Sequence, residues 1–272
     1  MPQISWAEPV AAAFRIEMLL PLLPDAAAPS RGMCDAFDAA APRRPPLMKD
    51  EWKSLMGQLD GIEARPAQAL DYVRRHAEQG DAASVLAALD DFAVRRGFLM
   101  NVGPVKGVIL EEEAARAGKE ARILELGAHC GYSAILLARQ LEGSGGLVSV
   151  DSSRVSVDAT LGMVAFAGLA DRVEVLCGES TPTIPSLEGH FDFVFLDHWK
   201  GLYRTDLEAM ESAGLLRPGS VVFADNVGPM FGAEEYLGYV RDCGRYESRH
   251  VVSTVEYTEI EDAVEISTYL GP

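Results

Sequence analysis

The chain is poor in cysteine, in positive charge and in long apolar runs, and each shortage removes a class of function. Its four cysteines, Cys34, Cys130, Cys177 and Cys243, are scattered and form no C-x-x-C pair. That argues against a structural zinc site and favours a reducing compartment. Cys130 and Cys177 lie in apolar surroundings and are expected to be small core residues. Lys and Arg total 24 against 41 Asp and Glu, a formal net charge of −17. A nucleic-acid partner would need a basic footprint, and the bulk composition has none. No apolar stretch is long enough to span a bilayer; the best, Val10–Leu23, is broken by Arg15, Glu17 and Pro21. It has no basic flank, and Glu8, Glu17 and Asp25 do not suit a transit peptide, so a cytoplasmic protein with no membrane partner is expected. The phosphate-cradling G-x-G-x-x-G spacing is also missing, which opposes a nicotinamide-dependent dehydrogenase.

What is present is enough apolar material, 48% of 272 residues, to bury a sizeable core. Residues 1–48 are rich in Ala and Pro and read as an extension, and residues 49–272 as one domain. Asp50 suits the N-cap of a helix over Glu51–Leu59, and Pro66 the first turn of a helix reaching Gln79. Asp81 suits the cap of a third helix, with Val85, Leu86, Leu89, Phe92 and Ala93 on one face and Gly97 at its end. From Arg122 onward strands and helices alternate. The strands are expected at Arg122–Leu126, Gly146–Val150, Val173–Leu176, Phe191–Leu196 and Ser220–Ala224, with helices such as Tyr132–Leu141, Arg154–Ala167 and Thr205–Ser212 between them. Such alternation predicts an α/β fold, a doubly wound, mostly parallel Rossmann-like sheet. Tyr246–Ser253 and Ala263–Leu270, with no helix between them, predict an antiparallel pair at the sheet edge.

Two clusters of polar residues follow directly on these strands. Asp197-His198-Trp199-Lys200 follows one and Asp225-Asn226 another. The carboxyl ends of parallel strands face the ligand crevice, so two carboxylates and an amide converge on one edge. Three oxygen donors without paired His or Cys suit a hard cation such as Mg²⁺. An amine beside that cation, Lys200, can make a phenol or alcohol nucleophilic. Either aspartate alone would read more simply as a helix cap. Upstream, Glu125-Leu126-Gly127-Ala128-His129-Cys130-Gly131 closes a strand and opens a helix, and the next strand ends at Asp151, an acceptor for two ribose hydroxyls. Gly178-Glu179-Ser180 follows the third strand, where a base ring can lie. The single wide glycine spacing fits a ribose-bearing ligand without phosphates, and S-adenosylmethionine is that kind of ligand.

With these residues in order, the chain resembles the catechol O-methyltransferase family from about Ala69 to Pro272. The blocks that carry the resemblance are Met100-Asn101-Val102-Gly103, Glu125–Ser133, Phe195–Lys200, Gly214–Gly219 with Ala224–Val227, and Glu256-Tyr257. The resemblance implies that Asp197, Asp225 and Asn226 hold Mg²⁺ and that Lys200 removes the proton from the hydroxyl to be methylated. It implies that Glu256 hydrogen-bonds the neighbouring hydroxyl of a catechol or other vicinal diphenol. Met100, Val102, Gly127, Tyr132, Ser133, Asp151, Ser152, Ser180, Asp197, His198 and Trp199 would hold the cofactor. Phe98, Trp199, Lys200, Asn226, Pro229 and Glu256 would line the substrate site. A monomer or weak dimer is expected. By composition alone Glu256 belongs to a solvated acidic run with Glu259, Glu261 and Asp262. His76, His190 and His250 have no partner pattern and read as surface residues.

The chain departs from the family at His129, where a tyrosine is usual, at Phe98, where a tryptophan is usual, and at Asp151, a shortened glutamate. Glu179 replaces a small residue, and the 228–231 loop differs in length by about one residue. These changes bear on the substrate more than on the reaction. The same reaction on a bulkier phenolic, such as a caffeoyl ester or natural product, and a non-catalytic binding protein of the same fold are the competing readings.

Overall fold

The computed structural model describes residues 61–272. The extension at 1–48, the helix expected over Glu51–Leu59 and Cys34 lie outside the described residues. The first helix, α1 (Arg65–His76), has Pro in its first turn. It stops before Gln79 because Ala77 is already extended. Helix α2 (Ala82–Arg95) starts where Asp81 accepts the Ala83 and Ser84 amides at 2.9 and 3.1 Å. All five residues expected on its apolar face are buried.

Next comes α3 (Gly103–Ala117), a helix that the apolar pattern does not announce. Its buried stripe is Gly103, Lys106, Gly107, Leu110, Glu113 and Ala114, and a lysine and a glutamate in that stripe disguise it. Pro104 in the first turn and Gly118 just past the end were the available signals.

The alternating part then runs β1 (Arg122–Leu126), α4 (Tyr132–Ala138), β2 (Gly146–Asp151), α5 (Arg154–Phe166), β3 (Val173–Cys177), α6 (Ser180–Thr183), β4 (Phe193–Leu196), α7 (Tyr203–Ser212), β5 (Val221–Ala224), α8 (Glu234–Asp242), β6 (Tyr246–Thr254) and β7 (Glu261–Tyr269). Helix α4 ends three residues short of Leu141, because Gln140 and Leu141 turn back in i→i−3 bonds to Leu137 and Ala138. The strand order is β3-β2-β1-β4-β5-β7-β6. β1 to β5 are mutually parallel, whereas β7 runs antiparallel to both β5 and β6. The predicted doubly wound sheet with an antiparallel tail pair is thus the observed one.

The side-chain alternation of the strands sorts the core into two layers. Ile123, Phe193, Phe195 and Phe223 pack under helices α1 to α5. Leu124, Leu126, Val194, Leu196 and Val222 pack under α7 and α8. Chain order reverses between β1 and β4, so the crevice that binds ligands in such sheets opens at Leu126 and Leu196, which are paired in register. One core assignment is corrected. Cys130 is buried as expected, but Cys177 is exposed, because it ends β3, the outermost strand on that side.

Candidate active site

Leu196 and Ala224 are register partners, so the next residues, Asp197 and Asp225, leave adjacent strands side by side. Asp225 is almost fully buried, and Asn226 follows it in the left-handed region at φ 51°, a conformation that asparagine tolerates better than most residues. Lys200 reaches back toward this edge. Its Nζ donates to Asp197 Oδ1 at 3.3 Å and to the Tyr203 hydroxyl at 2.9 Å. Tyr203 in turn donates to the carbonyls of Leu196, at 2.8 Å, and Asp225, at 3.1 Å. Tyr203 therefore ties the amine to the backbone of both strands. Burial pushes Asp197 up to about 7 and Asp225 adds to the rise, while Lys200 opposes it.

Behind Asp225 lies a buried cation that the sequence reading missed. Lys106 Nζ sits 2.7 Å from Asp225 Oδ1, 2.7 Å from Asp262 Oδ2 and 3.9 Å from Glu256 Oε2. Burial works to lower the lysine, but Asp225, Asp262 and Glu256 outweigh it and hold its pKa well above the ordinary value. Glu256 and Asp262 are both buried, and only Glu259 and Glu261 of the acidic run are exposed. The solvated-loop expectation thus fails for two of the four. Burial raises Glu256 to about 8, opposed mainly by Lys106.

The glycine loop meets the same edge. Gly127 has φ 102°, and a Cβ there would fall 2.7 Å from the Asp197 carbonyl carbon and 3.0 Å from the His198 nitrogen. The glycine is required by the approach of β4's end as well as by its own backbone angle. Asp151 faces this loop from the end of β2. Its Oδ2 accepts the Ala128 and His129 amides at 3.1 and 2.9 Å, and its Oδ1 accepts the Ser153 amide at 2.8 Å. The shortened carboxylate thus spends part of its capacity on bracing the loop, although a carboxylate can accept more than three hydrogen bonds. Burial lowers His129, which keeps the ring neutral beside Asp151. Tyr132 and Ser133 open α4 and are buried, whereas Ser152 is exposed.

His198 is held by a second buried group missing from the sequence reading, Asp206 on α7. His198 Nε2 and Asp206 Oδ2 are 2.8 Å apart, and Ser180 and Thr181 also donate to Asp206. Burial lowers His198, so the neutral ring donates through Nε2. The segment carrying Met100 and Val102 is fixed through Asn101, whose Nδ2 donates to the Tyr257 hydroxyl at 3.2 Å, while that hydroxyl donates to Asp90 at 2.7 Å. Trp199 is half-buried. Phe98 is buried, and Pro229 is exposed in the turn after Asn226. His76, His190 and His250 are exposed, as expected.

The structure therefore joins Asp197, Lys200, Asp225 and Asn226 through the Tyr203 hydroxyl and the Asp225 carboxylate, places Glu256 3.9 Å from the Lys106 amine behind them, and sets the glycine loop against this edge. Among the described residues no group of three or more His, Cys, Asp and Glu is arranged to hold a metal ion. The candidate donors are two carboxylates and an amide, an all-oxygen set whose chemistry fits a hard divalent cation. No helix of the described residues is long and apolar enough to cross a membrane.

Comparison with known proteins agrees with this architecture. Residues 124–227 match a family model described as a methyltransferase domain. The chain is 41% identical over 212 residues to catechol O-methyltransferase B of Danio rerio, covering 76% of this chain and 80% of the relative. It is 40% identical over 208 residues to catechol O-methyltransferase of Mus musculus, covering 75% and 78%. Among solved structures, an O-methyltransferase from Bacillus cereus in complex with SAH aligns with a TM-score of 0.59 at 24% identity, covering 69% of this chain and 90% of that one. The two agree in fold. The chain belongs to the catechol O-methyltransferase family and is an S-adenosylmethionine-dependent O-methyltransferase.

Proposed function

We propose that the chain moves the methyl group of S-adenosylmethionine to one hydroxyl of a catechol-type substrate, with Mg²⁺ as the resident metal. The observation that supports this most is the Lys200 amine, 3.3 Å from Asp197 and tied through Tyr203 to the Asp225 carbonyl. A base and an oxygen-donor set thus share one strand edge, beside a glycine loop of the kind that accepts a nucleoside.

Asp197, Asp225 and Asn226 would hold the metal. When bound, Mg²⁺ supplies Lewis-acid character that favours the ionised phenol. Lys200, in its neutral form, takes the proton from the hydroxyl to be methylated. Glu256, whose carboxyl burial raises to about 8, hydrogen-bonds the neighbouring hydroxyl. The substrate oxygen then attacks the sulfonium methyl in line. The O–CH₃ bond forms as the S–CH₃ bond breaks, and its electron pair stays on sulfur. Asp151 would take the ribose hydroxyls, and His198 and Trp199 would flank the adenosine. Met100, Val102, Gly127, Tyr132, Ser133, Ser152 and Ser180 complete the cofactor side. Phe98 and Pro229 complete the substrate side. Holding the two substrate oxygens and the methyl donor in one orientation would supply the alignment that methyl transfer needs.

The test is methyl transfer to 3,4-dihydroxybenzoate with Mg²⁺ and then with excess EDTA. Turnover that vanishes with EDTA supports acceptor class and metal together. Turnover that survives EDTA overturns the metal assignment. Cofactor binding without turnover overturns the catechol acceptor.

A further inference from the structure

Asp262 is fully buried near the start of β7, far in sequence from every residue discussed as a metal donor. Three donors converge on it. Lys106 Nζ and Asn226 Nδ2 both donate to Oδ2, at 2.7 and 2.8 Å, and the Gly228 amide donates to Oδ1 at 3.2 Å. Gly228 is a glycine for this reason, since a Cβ there would lie 2.8 Å from Asp262 Cα. An ionised carboxylate only accepts hydrogen bonds, and Lys106 pairs with it as the opposite charge. The side-chain amide of Asn226 therefore has one permitted orientation. Its NH₂ must lie on Asp262, which leaves Oδ1 on the other branch of the amide. Among the described residues nothing donates to that oxygen. The backbone is fixed as well, because the Asn226 amide donates to Asp225 Oδ1 at 2.8 Å and φ stands at 51°.

We propose that Asp262, backed by Lys106, is the positioning residue that selects the amide orientation of Asn226 and so presents Asn226 Oδ1 as an oxygen ligand beside Asp197 and Asp225. This rests on the metal reading above. Groups behind the ligands orient them, and losing one weakens metal affinity by roughly 10–100-fold. A neutral amide at position 262 must set its NH₂ against either the Lys106 ammonium or the Gly228 amide, so the bond that selects the Asn226 orientation is weakened.

The experiment titrates the full chain with Mn²⁺ alone, reading free Mn²⁺ by electron paramagnetic resonance, with urea midpoints and S-adenosylmethionine affinity measured beside it. Asp262→Asn is expected to weaken Mn²⁺ binding about 10–100-fold while cofactor affinity stays at the wild-type level. Asn226→Asp adds a charged ligand but sets two carboxylates against each other, so it is expected to bind Mn²⁺ more weakly than the wild type. That comparison decides the matter even if Asp262→Asn does not fold. Wild-type Mn²⁺ affinity in folded Asp262→Asn, or tighter binding in Asn226→Asp, would overturn the inference. Equal Mn²⁺ binding by the wild type and Asp197→Ala would instead overturn the metal reading, and the inference with it.

Discussion

Replacing Lys106 with methionine keeps most of the side-chain volume and removes the charge. Asp225 and Asp262, both at most 1% exposed, are then left without their cation. Breaking a buried ion pair by removing one partner costs about 3–5 kcal/mol, because the stranded charge stays out of water. Typical domains have only about 5–15 kcal/mol of stability in total, so the loss is a large part of it. At about 2–4 °C per kcal/mol for chains near this size, Tm is expected to fall by roughly 6–20 °C. Lys119→Met is the control. Lys119 pairs with Glu142 at 2.7 Å, but the two side chains are 69% and 61% exposed, so that pair is worth about 0–1 kcal/mol. Urea denaturation with excess EDTA compares the two variants without a contribution from bound metal. The pH dependence supplies an independent check. The folded-state pKa of Lys106 is raised, so its contribution is fully present below the unfolded lysine value of about 10.4 and is lost as pH rises through the folded value. The variant lacks that alkaline loss. Its deficit also shrinks toward acid pH, as the stranded carboxylates become protonated. A Lys106→Met midpoint equal to that of Lys119→Met would refute the reasoning.

Lys200→Met is expected to lower kcat by about 10²–10⁴-fold with little change in S-adenosylmethionine affinity, and an unaltered kcat would mean that another group takes the proton. Asp197→Ala is expected to abolish Mg²⁺-dependent turnover while calorimetry still detects cofactor binding; wild-type turnover would remove Asp197 from the metal site. Gly127→Ala is expected to destabilise the chain by about 1–3 kcal/mol and to weaken cofactor binding, since its Cβ meets the Asp197 backbone rather than a movable side chain; an unchanged Tm would refute the steric argument. Burial raises Glu125 to about 7, so its contribution is fully present below the unfolded glutamate value and is lost as pH rises through about 7. Glu125→Gln should therefore flatten the urea midpoint between about pH 4.5 and 7, and an unchanged profile would show that Glu125 does not drive it.

Much of this protein could be read from residues near one another in the chain. The strands from Arg122 to Ala224 declared themselves because short β-branched and aromatic runs stop at polar residues, and the Asp81 cap because its partners are two and three residues away. The pairing of Asp197 with Asp225 followed from the same logic, since parallel strands deliver their carboxyl ends to one edge. Lys106 and Asp262 were not legible. A lysine on a helical stripe reads as a break in the apolar face, and an aspartate in an acidic run reads as solvated. Their meaning exists only when α3, the β5 end and β7 are brought together, 119 and 156 residues apart along the chain. Asp206 behind His198 and the Tyr203 hydroxyl behind Lys200 are similar cases, in which the partner is set by how α7 packs. The sequence by itself determined the sheet, the glycine loop and the chemistry of the donors, because those depend on local pattern and residue type. The tertiary structure alone decided which charges are buried and which cation neutralises them, because burial and pairing are properties of elements packed together.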